Sequence, residues 1–86
     1  MIGTAGNEKS DDVLVTVDLS HKEGIEIELI SKIEKLFGKQ MKEVVLNTLK
    51  ELNIEKAKVV VQDFGALDFV IKARVKTAIN RARGNK

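Results

Sequence analysis

The chain has 86 residues, of which 43% are hydrophobic and 33% charged, with no proline and no cysteine. This length fits one domain with a modest core, the composition argues against disorder, and the lack of cysteine excludes disulfides and thiolate metal sites. No apolar run approaches the roughly 20 residues that cross a bilayer, and no secretory signal is visible, so we expect a cytoplasmic protein.

The net charge of +2 is unevenly distributed along the chain. Residues 1–30 carry seven acids and two lysines, whereas the remainder carries 13 bases and six acids. Such polarity is typical of a nucleic-acid surface. However, the chain has no Trp or Tyr and only three Phe, so it lacks an aromatic platform on which bases stack. Nucleic-acid binding is therefore the less favoured interpretation.

The N-terminal third predicts a mobile arm and two strands. Small and polar residues fill positions 1–11, where we expect a flexible arm ahead of one folded domain over 12–86. Apolar residues alternate from Asp12 to Leu19 and again over 25–30, which predicts two strands. The turn "SHKEG" between them indicates an antiparallel hairpin.

Two helices and a third strand are predicted after these strands. Ser31 opens a helix, because Glu34 completes a capping box, and Asn53 can end it. "AKVVVQ" at 57–62 predicts a central strand, since consecutive valines suit burial on both faces. Beyond the "DFG" turn, spacings of three and four favour a helix over 66–83, although the start of that segment also alternates like a strand.

The predicted order is ββαβα, a small sheet with two packed helices in the α+β class. The first helix carries an apolar stripe that includes Leu36 and Phe37. We expect one core formed by Val15, Val17, Ile27, Leu36, Phe37, Val45, Val60 and Val75.

Few residues offer catalytic chemistry. His21 is the only histidine and lies in a polar turn, which indicates a solvated side chain. Asp63-Phe64-Gly65 matches the magnesium-binding triplet of protein kinases, but the chain has neither their glycine-rich loop nor their catalytic loop. Asp11 and Asp12 are expected to be too exposed for the raised pKa that general acid catalysis needs. No catalytic or metal site is predicted.

The C-terminal segment is strongly basic after Asp68. A cationic helix end complements the helix dipole, but six bases exceed that need. Two interpretations of these bases therefore remain: a contact with phosphates or an acidic partner, or an ordinary solvent-exposed helix face. Lys72 and Lys76 lie four residues apart and should share a helix face. The six bases are Lys72, Arg74, Lys76, Arg81, Arg83 and Lys86.

The run "AGNEKSDDVLVTV" over 5–17 resembles the N-terminal motif of the citrate lyase acyl carrier protein family, the gamma subunit of that lyase. Later stretches, "GIEIELISKIEKLFGKQMKEVVLNTLKELNI" and "VVVQDFGALDFVIKARVKTAINRA", are similar to the family as well, so the resemblance spans nearly the whole chain. Two departures, at 7–9 and at Phe69, leave the serine and the aspartate of the motif in place. The matching motif residues are Ala5, Gly6, Ser10, Asp12, Val13 and Val15.

The resemblance implies a non-catalytic carrier subunit. Ser10 would be linked through a phosphodiester to 2'-(5''-phosphoribosyl)-3'-dephospho-coenzyme A, with Asp12 nearby and with Lys72 and Lys76 as candidate phosphate contacts. The thiol of this group would carry acetyl and citryl thioesters while citrate is cleaved to acetate and oxaloacetate. The implied partners are the alpha and beta subunits and a prosthetic-group transferase, with no membrane. Ser20, in "DLS", is the second choice of modified serine.

The alternative hypothesis is a small α+β interaction module. It would use the basic C-terminal helix to bind nucleic acid or an acidic partner. A covalent adduct of nucleotide-cofactor size, visible in the intact mass, separates a carrier from such a module.

Overall fold

A computed structural model describes residues 1–84. Residues 85–86, and with them the predicted basic residue Lys86, lie outside the described residues. The α+β class is confirmed, and the predicted order ββαβα is found over residues 13–82 with one further strand ahead of it. The elements are β1 (Ile2–Gly6), β2 (Val13–Asp18), β3 (Ile25–Ile30), α1 (Glu34–Glu51), β4 (Ala57–Asp63) and α2 (Asp68–Ala82).

Strand β4 lies inside the sheet, whose order is β1-β2-β4-β3. It pairs antiparallel with β2 and parallel with β3. The prediction of a central strand is therefore confirmed, whereas the predicted antiparallel hairpin between β2 and β3 is wrong. Burial explains the difference: Val59 and Val61 of β4 pair with the fully buried valines of β2. The acidic strand β3 is left at an edge, where its Glu26 and Glu28 reach solvent.

Strand β1 occupies five of the eleven residues that the sequence predicts to be a flexible arm. It pairs antiparallel with β2. A Cβ added at Gly3 would overlap the carbonyl oxygen of Ala78 and the amide nitrogen of Ala82, so the missing side chain is what lets α2 lie against this strand. Small residues contribute little apolar surface and hence look like a mobile segment, but here they allow close contact. The arm is reduced to a loop over residues 7–12.

The predicted capping box of α1 does not form. The helix begins at Glu34, and its N-cap residue Ile33 makes no side-chain cap. The Ser31 hydroxyl instead accepts a hydrogen bond from the Ile33 amide at 3.2 Å and donates one to Asp63 at 3.0 Å. The predicted second helix is confirmed as α2, which excludes the strand alternative for that segment.

The predicted core is half right. Val15, Val17, Val45 and Val75 are fully or almost fully buried, and Ile27 and Val60 are half-buried. The prediction that Leu36 and Phe37 are buried is wrong, because 79% and 47% of their surface is exposed. Burial in α1 starts only at Gly38, so the first turn of the helix extends past the core. Neither helix within residues 1–84 is both long and apolar enough to cross a bilayer.

Phe37→Ala should lower the free energy of unfolding by less than about 1 kcal/mol, because nearly half of this side chain is already in water. Leu49→Ala, at a fully buried position of the same helix, should cost about 2–5 kcal/mol. Urea denaturation of both variants measures the two losses. Equal losses would contradict the orientation of α1.

Gly3→Ala should lower the free energy of unfolding by about 1–3 kcal/mol, because a methyl group there forces β1 away from α2. Thr4→Ala is the matched control, since the Thr4 side chain is exposed and should tolerate truncation. Urea denaturation of both variants makes the comparison. A Gly3→Ala chain as stable as the parent would mean that β1 does not lie against α2.

Candidate functional site

Three connections meet at one edge of the sheet. Strands β3 and β4 are parallel and end there, at Ile30 and Asp63, and the antiparallel strand β2 begins there, opposite Asp63. The β1–β2 loop (7–12), the start of α1 and the β4–α2 turn are consequently neighbours. Ser10 lies exposed in the first of these connections.

The β1–β2 loop is held to the β4–α2 turn by backbone hydrogen bonds. The amide of Asp11 donates to the Phe64 carbonyl at 2.8 Å, and the Phe64 amide donates to the Asp12 carbonyl at 3.0 Å. Within the loop, the Asp12 amide donates to the Lys9 carbonyl at 3.1 Å. Asp11 adopts the left-handed conformation with φ 66°. Ser10 is therefore carried at the tip of a loop that is fixed immediately after it.

The Ala-Gly pair of the motif has a local structural reason. Ala5 is 2% exposed, on the buried side of β1. Gly6 has φ 95°, and a Cβ there would overlap the carbonyl oxygen of Val13. Only glycine fits such a position without strain. The pair thus lets β1 turn tightly into the loop that carries Ser10.

Asp12 forms a two-point ion pair with Arg74 of α2. The Arg74 Nε donates to Oδ1 of Asp12 at 3.1 Å, and Nη2 donates to Oδ2 at 2.9 Å. The Asp12 side chain is only 14% exposed, which corrects the expectation of an exposed carboxylate. The hydrogen bonds from Arg74, followed by the one from the Val13 amide, lower the pKa of Asp12 below its ordinary value of 3.8. Asp12 therefore stays ionised and holds the β1–β2 loop to α2, and it is unsuited to general acid catalysis.

Asp63 connects the other two segments of the site. Its Oδ1 accepts hydrogen bonds from the amides of Gly65 and Ala66, at 3.2 and 3.0 Å, and its Oδ2 accepts the Ser31 hydroxyl. The carboxylate therefore fixes the β4–α2 turn and ties it to the start of α1. The "DFG" triplet has no kinase context in this chain, and its aspartate has a structural role instead.

A groove opens between the β1–β2 loop and the start of α1. It has a volume of about 670 Å³, and Ser10 is part of its lining. Ile30, Ile33 and Phe64 give it apolar walls. Its charged lining residues are one base and two acids, Lys32, Glu8 and Asp63. No motif in the sequence indicated this groove, because its walls come from three separate segments.

Lys72 and Lys76 share a face of α2, as their spacing predicts, and that face points to the end of α1. Their Nζ atoms lie 3.0 and 3.8 Å from the Oε1 and Oε2 of Glu51. The hydrogen bond and charge of Lys72, followed by Lys76, lower the pKa of Glu51 below its ordinary value. The basic residue that reaches the Ser10 loop is instead Arg74. In the sequence, Arg74 is one of six bases after Asp68 and carries no feature that distinguishes it from the others.

Two other bases of the C-terminal segment bind backbone carbonyls. Arg81 donates to the Thr4 carbonyl at 2.8 Å, and Arg83 donates to the Leu52 carbonyl at 3.1 Å. The first bond ties α2 to β1, and the second caps the end of α1 with a cation. Much of the basic character of α2 therefore serves the fold.

Asp12→Asn should destabilise the chain at neutral pH, because it leaves Arg74 without its counter-ion. The folded-state pKa of Asp12 lies below 3.8, so its stabilisation is complete above about pH 3.8 and is lost as the pH falls through the lower folded-state pKa. The stability difference between parent and Asp12→Asn should therefore narrow below that pH. Urea denaturation between pH 7 and pH 2 measures it, with Asp11→Asn as the exposed control. A difference independent of pH would contradict the ion pair.

Comparisons with known proteins identify the family of this chain. The acyl carrier (ACP) family model described as "Malonate decarboxylase delta subunit (MdcD)" matches residues 2–82. The chain is 44% identical over 81 residues to the citrate lyase acyl carrier protein of Fusobacterium nucleatum subsp. nucleatum, covering 94% of this chain and 86% of the relative.

Two further relatives give the same result. The citrate lyase acyl carrier protein of Streptococcus mutans is 47% identical over 78 residues, covering 91% of this chain and 76% of the relative. That of Vibrio cholerae is 42% identical over 78 residues, covering 91% and 80%. Because likeness at this level extends over nearly all of the folded domain, the chain belongs to the citrate lyase acyl carrier protein family.

Proposed function

We propose that this chain is the acyl carrier subunit of a citrate lyase and that Ser10 carries its prosthetic group. The observation that carries the assignment is the state of the three serine hydroxyls. Ser20 donates to Asp18 at 2.6 Å and Ser31 donates to Asp63 at 3.0 Å. Within residues 1–84, the hydroxyl of Ser10 has no hydrogen-bond partner, and the residue is exposed. It is the serine that a modifying enzyme reaches without breaking an internal bond.

The group implied by the family is 2'-(5''-phosphoribosyl)-3'-dephospho-coenzyme A, linked to Ser10 through a phosphodiester. The structure accommodates a group of this kind, because the groove beside Ser10 has about 670 Å³ of open volume. When attached, the group supplies a thiol that carries acetyl and citryl groups as thioesters. The chain itself presents this arm and performs no step of the cleavage.

Attachment requires that the Ser10 hydroxyl lose its proton as its oxygen forms the new bond to phosphorus and the donor's leaving group departs. The nearby Asp12 is a poor base for this proton, because Arg74 holds it as an anion of lowered pKa. The base is therefore expected to come from the transferase. Asp12 keeps the loop in place and acts as a positioning residue.

The proposed partners are the alpha and beta subunits of the lyase and the prosthetic-group transferase, in the cytoplasm. A tethered thioester visits both active sites at an effective concentration in the millimolar range without being released. The contact of Lys72 and Lys76 with phosphates stays a prediction. Because both lysines bind Glu51 in this structure, such a contact would have to replace that carboxylate.

The alternative of a nucleic-acid or acidic-partner module has less support. Among the described bases of the C-terminal segment, five make contacts inside the chain, with Asp12, Glu51 or backbone carbonyls. A free basic face is what that alternative requires. Acyl carrier function does not depend on one.

Ser10→Ala should abolish covalent modification and leave the fold intact, because the side chain is exposed and makes no internal bond. The chain would be expressed together with the transferase and the enzymes that make its donor, and its intact mass measured. Ser20→Ala is the matched control and should be modified like the parent. An adduct on the Ser10→Ala chain would overturn the assignment, and peptide mapping would then show whether Ser20 or Ser31 carries it.

A further inference from the structure

We propose that the group attached to Ser10 docks back into the groove beside it, with Ile33 and Phe64 as apolar walls and Lys32 as a phosphate partner. This inference rests on the proposed function, because it takes Ser10 as the attachment site. It adds a resting place on the carrier itself, between visits to the partner active sites.

Exposed apolar side chains concentrate around the starts of the two helices. Of the nine large hydrophobic residues exposed within residues 1–84, seven lie in the segments 30–37 and 64–69, around the starts of the two helices. The other two, Met1 and Ile2, are at the N-terminus. Clustered apolar surface of this kind is typical of a binding site, whereas single exposed hydrophobics are ordinary. Ile30, Ile33 and Phe64 of this set line the groove.

The position of Ser10 beside the groove favours one occupant, the group attached to Ser10. Ser10 belongs to the groove lining, so any group esterified to its oxygen begins beside the groove. The volume of about 670 Å³ lies within the range of about 300–1,000 Å³ that small-molecule sites have. A nucleotide-cofactor arm brings both a chain and rings that suit apolar walls, and phosphates that need a cation.

Lys32 supplies that cation. It lines the same groove, and within the described chain it has no carboxylate partner within 4.0 Å. Two carboxylates, Glu8 and Asp63, line the groove as well, and the oxygens of Asp63 already accept hydrogen bonds from within the chain. Lys72 and Lys76, by contrast, are bound to Glu51 on another face. A charge-assisted hydrogen bond from Lys32 to a phosphate oxygen would anchor the near end of the arm.

Hydrogen bonds join the walls of the groove before anything enters it. Asp63 ties Ser31 to the turn that carries Phe64, and the backbone of Phe64 is bonded to Asp11 and Asp12. Little ordering is needed when the arm docks, which lowers the cost of binding. Because the arm is tethered, a contact with a dissociation constant in the millimolar range is enough to keep about half of it docked. The open side of the groove allows it to leave again.

Comparison of the unmodified and the Ser10-modified chain by NMR tests the docking. We expect the amide resonances of residues 30–33 and 62–65 to shift on modification, together with those of the β1–β2 loop. Shifts confined to residues 8–12 would overturn the inference while leaving the proposed function standing. An intact mass with no adduct, or an adduct on another serine, would overturn both.

Thiol reactivity provides a second readout. The chain has no cysteine, so the thiol of the attached group is the only one in the modified protein. We expect Phe64→Ala and Ile33→Ala, each modified on Ser10, to react with a thiol reagent several-fold faster than the modified parent. Phe69→Ala is the control, since Phe69 is exposed but outside this groove, and it should react like the parent.

Equal thiol reactivity in the parent and both groove variants would overturn the docking. If those variants then co-purified less well with the alpha and beta subunits, the groove would be a subunit contact instead. Urea denaturation of each variant separates these outcomes from loss of the fold. Lys32→Glu adds a further test, with faster thiol reaction expected and with the difference from the parent shrinking at high salt.

Discussion

The antiparallel register between β2 and β4 is the constraint on which the site depends. It places Val13 opposite Asp63, so the backbone just before β2 meets the backbone just after β4. Two backbone hydrogen bonds then join Phe64 to Asp11 and Asp12, just past the last residue pair of β2 and β4. A shift of this register by one residue would turn the buried valines of β2 to solvent, so the core that stabilises the fold also fixes the Ser10 loop.

Periodicity predicted those elements whose buried residues recur regularly along the chain. β4 and α2 were found because their apolar residues recur at strand and helix spacing. β1 was missed because its contact with α2 relies on the absence of a side chain at Gly3, which a search for apolar residues does not detect. The hairpin was wrong because the position of β4 between β2 and β3 is decided by long-range burial. The local turn between the two strands carries no information about it.

The candidate site was predictable in part. Ser10 and Asp12 came from the family resemblance, since residue chemistry alone gave an exposed serine beside acids. The partner of Asp12 could not be found in this way, because Arg74 lies 62 residues away and looks like any other base of its helix. The contact of Asp63 with Ser31 was equally hidden, because the two residues are 32 positions apart in the sequence. Long-range polar contacts leave no periodic signal.

Because the β1–β2 loop is anchored, the movement that a carrier needs cannot come from a flexible N-terminal arm. A flexible arm over residues 1–11 would have let the chain itself move the cargo between active sites. Here β1 is paired in the sheet, and the residues after Ser10 are held by Phe64 and Arg74. If Ser10 is the attachment site, as proposed, the protein provides a fixed attachment point, and the reach toward the partner active sites would come from the attached group. A groove that holds and releases that group would then control when the thioester is exposed, which makes the apolar edge around Ser10 part of the carrier function.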